Sequence, residues 1–295
     1  MTGGSALAEA VREFAHSQGG GGIPGVDVEV QERAGAPVVL GRVLTQRQAR
    51  EVRELAGRHQ ATADVKVAAD PDSGLEQGWV EAVVDPLDLW REPSRAGEEM
   101  GRQTQYAAAD GPLRKLGSAG DFALVQGRDL ALGWARAADL RATDASSGRQ
   151  AWAAVVRPVP ADALAAPTEA SGATLIERAR AELGVPYVWG GTTHAGFDCS
   201  GLLQRVFVDA TGVLLPRHTG DQRRVGRRVV EGVRAGDLLF ARPREQKVGH
   251  VVLVTSPTSV LHACRTEHLV IEESLEENAR RYLHQGYRRP VALRP

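Results

Sequence analysis

The pattern of apolar and polar positions changes character several times along this chain. Leu7, Val11 and Phe14 share one face of a helix predicted over residues 5–17, and the glycine run 19–22 ends it. Val26-Asp27-Val28-Glu29-Val30 alternates strictly and predicts a strand; Val38-Val39-Leu40 is a second. Thr45 is placed to cap a helix over 46–58, with Val52 and Leu55 as its apolar stripe, and Val65-Lys66-Val67 alternates again. Residues 26–68 therefore read as a β-β-α-β unit inside an amino-terminal appendage, residues 1–75, to which no chemistry attaches.

Residues 78–142 follow another rhythm. Short apolar segments (Val80–Val84, Asp88–Trp90, Tyr106–Ala108, Ala123–Gln126 and Gly133-Trp134-Ala135) recur between glycines at 101, 111, 117, 120 and 127, which predicts a small all-β barrel. Residues 143–173 are small and polar, then broken by Pro158, Pro160 and Pro167, and read as a linker with a short strand at Ala153–Arg157. The last domain, 174–295, opens on Thr174-Leu175-Ile176-Glu177, a capping-box pattern, followed by Ala179 and Leu183 at helical spacing and by Gly184 as a stop. A second helix starts near Cys199, with Leu202, Leu203, Val206, Phe207 and Ala210 inward, and Gly212 closes it. Strand-like runs follow at Asp237–Ala241, His250–Thr255, Val260–Ala263 and Leu269–Ile271. Helices first and an antiparallel sheet after is an α+β order.

Composition narrows the function classes. A chain of 295 residues predicts about two domains. Lys+Arg 36 against Asp+Glu 37 leaves no electrostatic case for nucleic acid or an anionic membrane surface, and 5% aromatic content argues against an RNA-stacking face. No run of about 18 apolar residues is present, so no membrane-spanning helix is predicted. Met1–Leu7 lacks the basic and apolar regions of a secretory signal, which sets a cytoplasmic location as the expectation. Two cysteines make no disulfide framework and fit a reducing compartment, with a Cys199–Cys264 disulfide as the bland alternative.

The candidate chemistry centres on Cys199. Only a thiolate attacks, and an ordinary thiol titrates near ~8.5. A cysteine at a helix entrance gains from the unpaired N–H groups and the macrodipole there, and a neighbouring imidazolium would add to this. His250 opens an apolar strand after Gly249, and His262 lies on the next. Their separation of 12 residues suits adjacent antiparallel strands, so that one ring can orient the other. The structural alternatives are a buried inert cysteine and two satisfied core histidines. A zinc site from Cys199, His250, His262 and Cys264 is disfavoured, because structural zinc ligands come in close pairs and Cys199 and His250 form none. His194, His218, His268 and His284 sit in polar or loop-like contexts and are set aside. No metal or other cofactor is called for.

Several motifs stand in order: Pro186-Tyr187-Val188-Trp189-Gly190-Gly191, Phe197-Asp198-Cys199-Ser200-Gly201, Leu215-Pro216-Arg217, Arg234–Phe240, Gly249-His250-Val251 and Leu261-His262-Ala263. Together they resemble the NlpC family of cell-wall cysteine peptidases, which have a papain-like fold, over roughly residues 174–292. Asp88–Ser94, Phe122–Gln126 and Gly133-Trp134 resemble a bacterial SH3-like domain. That domain order is similar to the dipeptidyl-peptidase VI group, which cleaves γ-D-glutamyl–diamino acid bonds of peptidoglycan stem peptides during turnover and recycling. The resemblance implies Cys199 as nucleophile, His250 as general base and His262 as the orienting third member. It implies Tyr187 beside the nucleophile, and Asp198 and Ser200 as binders of the free amine of an N-terminal L-Ala. The partners expected are peptidoglycan-derived peptides. The chain departs from the group where an acidic residue and a tyrosine of the SH3-like domain would hold the amine: Glu99 is the candidate acid, and Asp129-Leu130-Ala131 has Ala131 where the tyrosine would stand. An exported amidase or toxin-like wall hydrolase, and a non-catalytic peptidoglycan-binding protein, are the alternatives.

Overall fold

The computed structural model describes residues 3–19, 27–70, 74–129, 131–153, 157–158, 170–244 and 249–293. Leu130, the glycines at 20–22 and residues 154–156 and 159–169 of the expected linker lie outside the described residues.

The amino-terminal unit places two helices, Gly3–Gly19 and Gln46–Arg58, on a sheet ordered Asp27–Arg33, Ala36–Val43, Thr62–Val67. The first pair of strands is antiparallel and the second parallel, as a crossover through the intervening helix requires. Thr45 caps that helix in a full capping box: its hydroxyl accepts from Gln48 N–H, and the Gln48 side chain answers the Thr45 backbone. Leu7, Val11, Val39, Val43, Val52 and Val65 fill the core.

A seven-stranded antiparallel sheet follows, in the order Leu140–Thr143, Gly78–Ala82, Leu113–Ala119, Phe122–Gln126, Leu132–Arg136, Leu87–Trp90, Arg102–Tyr106. One cluster around Leu87, Leu89, Tyr106, Leu113 and Val125 fills it. A second cluster joins Trp90, Leu124 and Trp134 to Leu44 and Ala68 of the first unit. Arg114, 1% exposed, donates to Gln126 Oε1 at 2.8 Å and to the carbonyls of Asp70 and Ala68, so the two units share a buried polar seam.

Two expectations need correction. Residues 143–173 are not all extended linker: Ala145–Ala153 is a helix, started by Asp144, whose carboxylate accepts from Ser147 N–H at 2.8 Å. The described strand there is Arg157–Pro158, paired in parallel with Val213–Leu214. The next helix spans Gly172–Arg180 and is capped by Ser171, not Thr174; the Ser171 hydroxyl accepts from Thr174 N–H at 3.1 Å. Ser is a somewhat better cap than Thr, and Ser171 satisfies a free N–H group one turn earlier.

The carboxy-terminal sheet is antiparallel, in the order Arg227–Val229, Tyr282–Arg289, Leu238–Pro243, His250–Ser256, Ser259–Cys264, Leu269–Ser274. Helices Gly172–Arg180 and Cys199–Thr211 lie on one face, where Leu175, Ala179, Leu203 and Phe207 meet Val251, Leu253 and Leu261. Strand alternation sends Leu239, Val252, Val254 and Val260 to the other face. The architecture is α+β, with helices packed on antiparallel sheets.

Candidate active site

Cys199 is the first residue of helix Cys199–Thr211, and Asp198 is its cap, accepting from Gly201 N–H at 2.7 Å. The loop before the helix folds tightly over this turn. A Cβ on Gly201 would stand 2.1 Å from the Gly191 carbonyl oxygen, so only glycine permits the approach. Asp198 N–H donates to that same carbonyl at 3.0 Å, and Gly190 N–H donates back to the Asp198 carboxylate at 3.1 Å. These bonds fix the Cys199 backbone before any side-chain chemistry begins.

Strands His250–Ser256 and Ser259–Cys264 pair antiparallel. The turn between them brings His250 Nε2 to 2.8 Å from His262 Nδ1. His262 Nε2 lies 2.9 Å from Glu273 Oε1, on the next strand. Asn278 Nδ2 also donates to Glu273 Oε1, at 2.9 Å, and Arg281 stands 3.4 Å from its second oxygen. Burial works against the Glu273 charge, but the bonds from His262 and Asn278 hold its carboxyl below the usual range. The ionised carboxylate is acceptor-only, so it fixes the proton of neutral His262 on Nε2. Nδ1 of His262 must then accept, Nε2 of His250 must donate, and Nδ1 of His250 is left as the basic nitrogen. Tyr282 stacks on the His250 ring, centroids 4.4 Å apart and planes 12° from parallel.

Cys199, Tyr187, Asp198, Ser200 and His250 line one cavity of about 350 Å3. His262 is fully buried behind His250 and does not line it. Burial, then the Asp198 carboxylate, pushes the Cys199 thiol up to about 11; Thr219, the Val251 N–H and Arg217 pull the other way. Burial, then His262, holds His250 well below its ordinary value. Both shifts favour the uncharged forms, the thiol and the neutral imidazole. Burial and the neighbouring Cys199 and Asp198 raise the Tyr187 phenol, which keeps it a proton donor.

Asp198 and Ser200 do not face the cavity as free groups. Arg217, 3% exposed, binds both Asp198 oxygens, at 3.0 and 2.7 Å, and also donates to Ser200 Oγ at 3.0 Å. Ser200 Oγ donates in turn to Asp198 at 3.1 Å. The β-sheet unit reaches this network through strand Arg102–Tyr106. Thr104 Oγ1 accepts from Arg217 Nε at 2.6 Å, Gln105 N–H donates to Gly190 O at 2.8 Å, and Gln103 meets His218 at 2.7 Å. Arg91 and Gln103 of that unit form part of the cavity wall. Glu99 is exposed and Ala131 is buried; neither lines the cavity. Cys264 is a free buried thiol, as is Cys199.

The sequence reading missed Glu273, Arg217 and Tyr282 as parts of the site. Glu273 had a signal: an acidic pair breaks the apolar run Leu269-Val270-Ile271, two residues beyond the residue that pairs with His262.

Residues 184–289 match the NlpC/P60 family. The chain is 40% identical over 102 residues to a Bacillus subtilis (strain 168) protein named gamma-D-glutamyl-L-lysine dipeptidyl-peptidase, covering 32% of this chain and 34% of that one. It is 33% identical over 117 residues to gamma-DL-glutamyl hydrolase of the same organism, covering 39% and 28%. The chain thus spans about a third of the length of these curated relatives. Among solved structures, the NlpC/p60 domain of the peptidoglycan hydrolase SagA is 30% identical, covering 40% of this chain and 97% of that one, with a TM-score of 0.36. Residues 184–289 of this chain thus carry an NlpC/P60 domain, similar to those of proteins named peptidases and hydrolases.

Proposed function

We propose that this chain is a cysteine endopeptidase that hydrolyses γ-D-glutamyl–diamino acid amide bonds in peptidoglycan-derived stem peptides, in the turnover of those peptides. The observation that carries the reading is the relay His250–His262–Glu273 ending in the cavity that Cys199 lines. The bond type follows from the printed name of the Bacillus subtilis relative.

In this mechanism Cys199 attacks the γ-carbonyl carbon while its proton passes to His250 Nδ1. Because burial favours the neutral thiol and the neutral imidazole, proton transfer accompanies attack. His262 and Glu273 stabilise the imidazolium that forms. The oxyanion is received by the Cys199 N–H at the helix entrance, with Tyr187 as a second donor; such a donor is worth about 3 kcal/mol of barrier. His250 returns its proton to the leaving amine, and a thioester remains. Water, deprotonated by His250, adds to the thioester carbonyl, and the sulfur leaves and is reprotonated.

The β-sheet unit, in our reading an SH3-like domain, borders the cleft with Arg91 and Gln103. Asp198 and Ser200 act here by holding Arg217 and the helix entrance, because the Asp198 charge is already answered. A free substrate ammonium finds no unpaired carboxylate among the described residues of the cavity. This favours a second reading of the substrate, a stem peptide acylated at L-Ala, as in wall fragments that keep their sugar. Mass spectrometry after incubation with L-Ala-γ-D-Glu-diamino acid peptides, free and N-acylated, tests both. Cleavage of both peptides within a few-fold is the expected result. Cleavage of the free-amine peptide alone restores the amine-binding role, and cleavage of neither by reduced protein rejects the activity.

A further inference from the structure

His250 has to take up a proton in the mechanism above, and Tyr282 covers its ring. Tyr282 stands where helix Leu275–Arg281 gives way to strand Tyr282–Arg289. Its N–H donates to the Asn278 carbonyl as the helix ends, and it pairs with Pro243 of the neighbouring strand. The residue is 5% exposed and lines the catalytic cavity.

The tyrosine ring is held from several sides. One face lies against His250, centroids 4.4 Å apart and planes 12° from parallel. Its contact with His262 is nearly perpendicular, 86° at 5.9 Å. The hydroxyl reaches Cys264 Sγ at 3.8 Å, and Arg281 Nη1 donates to the same sulfur at 3.6 Å. The hydrogen bond to His262 fixes one corner of the His250 ring. A single bond leaves a ring free to tilt about that corner, and a parallel aromatic face removes the tilt.

Charge points the same way. The face of an aromatic ring is electron-rich and attracts a cation within about 6 Å of its centre. A neutral imidazole gains little from that face, and an imidazolium gains more. His250 becomes charged only as the reaction proceeds, so the contact strengthens as the proton moves, which is the condition for lowering a barrier. In the relay the Glu273 carboxylate bonds His262, so the electron-rich group against the His250 face is Tyr282.

We propose that Tyr282 is a positioning residue for the general base: its ring face holds the plane of the His250 imidazole and favours the imidazolium formed when Cys199 gives up its proton. The inference rests on the hydrolase reading above, so its test includes a reaction that needs no peptide.

Iodoacetamide alkylates Cys199 as the thiol proton passes to His250, and mass spectrometry of the fragment carrying Cys199 reads the rate. Tyr282→Leu is expected to lower both that rate and kcat about tenfold, with KM little changed. Tyr282→Phe keeps the ring face and drops the hydroxyl, and is expected to recover most of the loss. Phenylalanines with increasing ring fluorination, placed at position 282, keep the shape and drain the face of charge. The alkylation rate is expected to fall step by step along that series. A rate that stays constant along it, or that falls as far with Tyr282→Phe as with Tyr282→Leu, overturns the proposal. A stepwise fall in a protein that cuts no γ-D-Glu peptide supports the positioning role and rejects only the substrate reading.

Discussion

The amino-terminal and carboxy-terminal units are both helices laid on a sheet, but they bury different things. The first buries valines, leucines and alanines; Gln48 is its buried polar side chain among the described residues 3–67, and that glutamine closes a capping box. The last buries Arg217, Gln222, Asp237, His250, His262, Asn278 and Arg289 inside its fold. A buried polar group costs stability unless its partners are in place. The first unit therefore spends its interior on cohesion. The last gives up part of its interior to polar networks, one joining Arg217 to Asp198 and Ser200 beside Cys199 and another running from Glu273 through His262 to His250.

The sharpest break of this contrast is at the nucleophile. Cys199→Ala is expected to lower turnover of γ-D-Glu–diamino acid peptides by at least about 10⁴-fold while calorimetry still detects peptide binding. Val52→Ala, in the core of the first unit, is expected to lower unfolding free energy by about 1–3 kcal/mol with kcat unchanged. A kcat that falls with Val52→Ala would join the two units functionally and end the contrast.

Glu273→Gln comes next. The amide is isosteric but can donate, which lets His262 carry its proton on Nδ1. Nε2 of His250 must then accept, and its Nδ1 is protonated and no longer a base. A loss of about 10²–10⁴ in kcat is expected from such a tautomer reversal, with KM and the denaturation midpoint little changed. Equal kcat in the variant would remove Glu273 from the relay. Arg217→Met acts on the other branch. It leaves the partly buried Asp198 carboxylate without its cation, for a loss of about 2–4 kcal/mol. Adding Asp198→Asn is expected to return part of that loss, measured by urea unfolding; no recovery would show that Arg217 acts through packing alone.

The residues legible in the sequence are those whose signal is local. Thr45 and Gln48 announce a capping box within four residues, and the helix forms where they say. Cys199 is legible because Asp198 caps the helix it begins, and the His250–His262 spacing is legible because a turn joins two alternating strands. Glu273 and Arg217 are set by contacts across strands and between units. Arg217 touches Thr104, 113 residues earlier, and no local pattern encodes that meeting. The same holds for the wall built by Arg91 and Gln103. Ser171 replaced Thr174 as a cap because two good caps stood three residues apart, which periodicity alone does not separate.

The smallest effect expected is in the pH dependence, and it separates the stability of the last unit from its activity. His250 is held well below its ordinary value by burial and His262, and His218 falls to about 4 through burial and then Arg217. A histidine whose folded value is depressed stays neutral in the folded chain while the unfolded chain takes up its proton. Stability is then full above about 6.5, the ordinary histidine value, and declines as pH falls below it. For His218 the decline ends near 4. Between pH 6.5 and 5.5 each such histidine removes at most about 1.4 kcal/mol. His250 stays a free base over the same interval, so kcat/KM of the folded enzyme is expected to remain flat while the urea midpoint drops. An acid limb in kcat/KM at or above 6.5 would mean that the folded chain protonates His250 there, and that burial and His262 do not hold its value down.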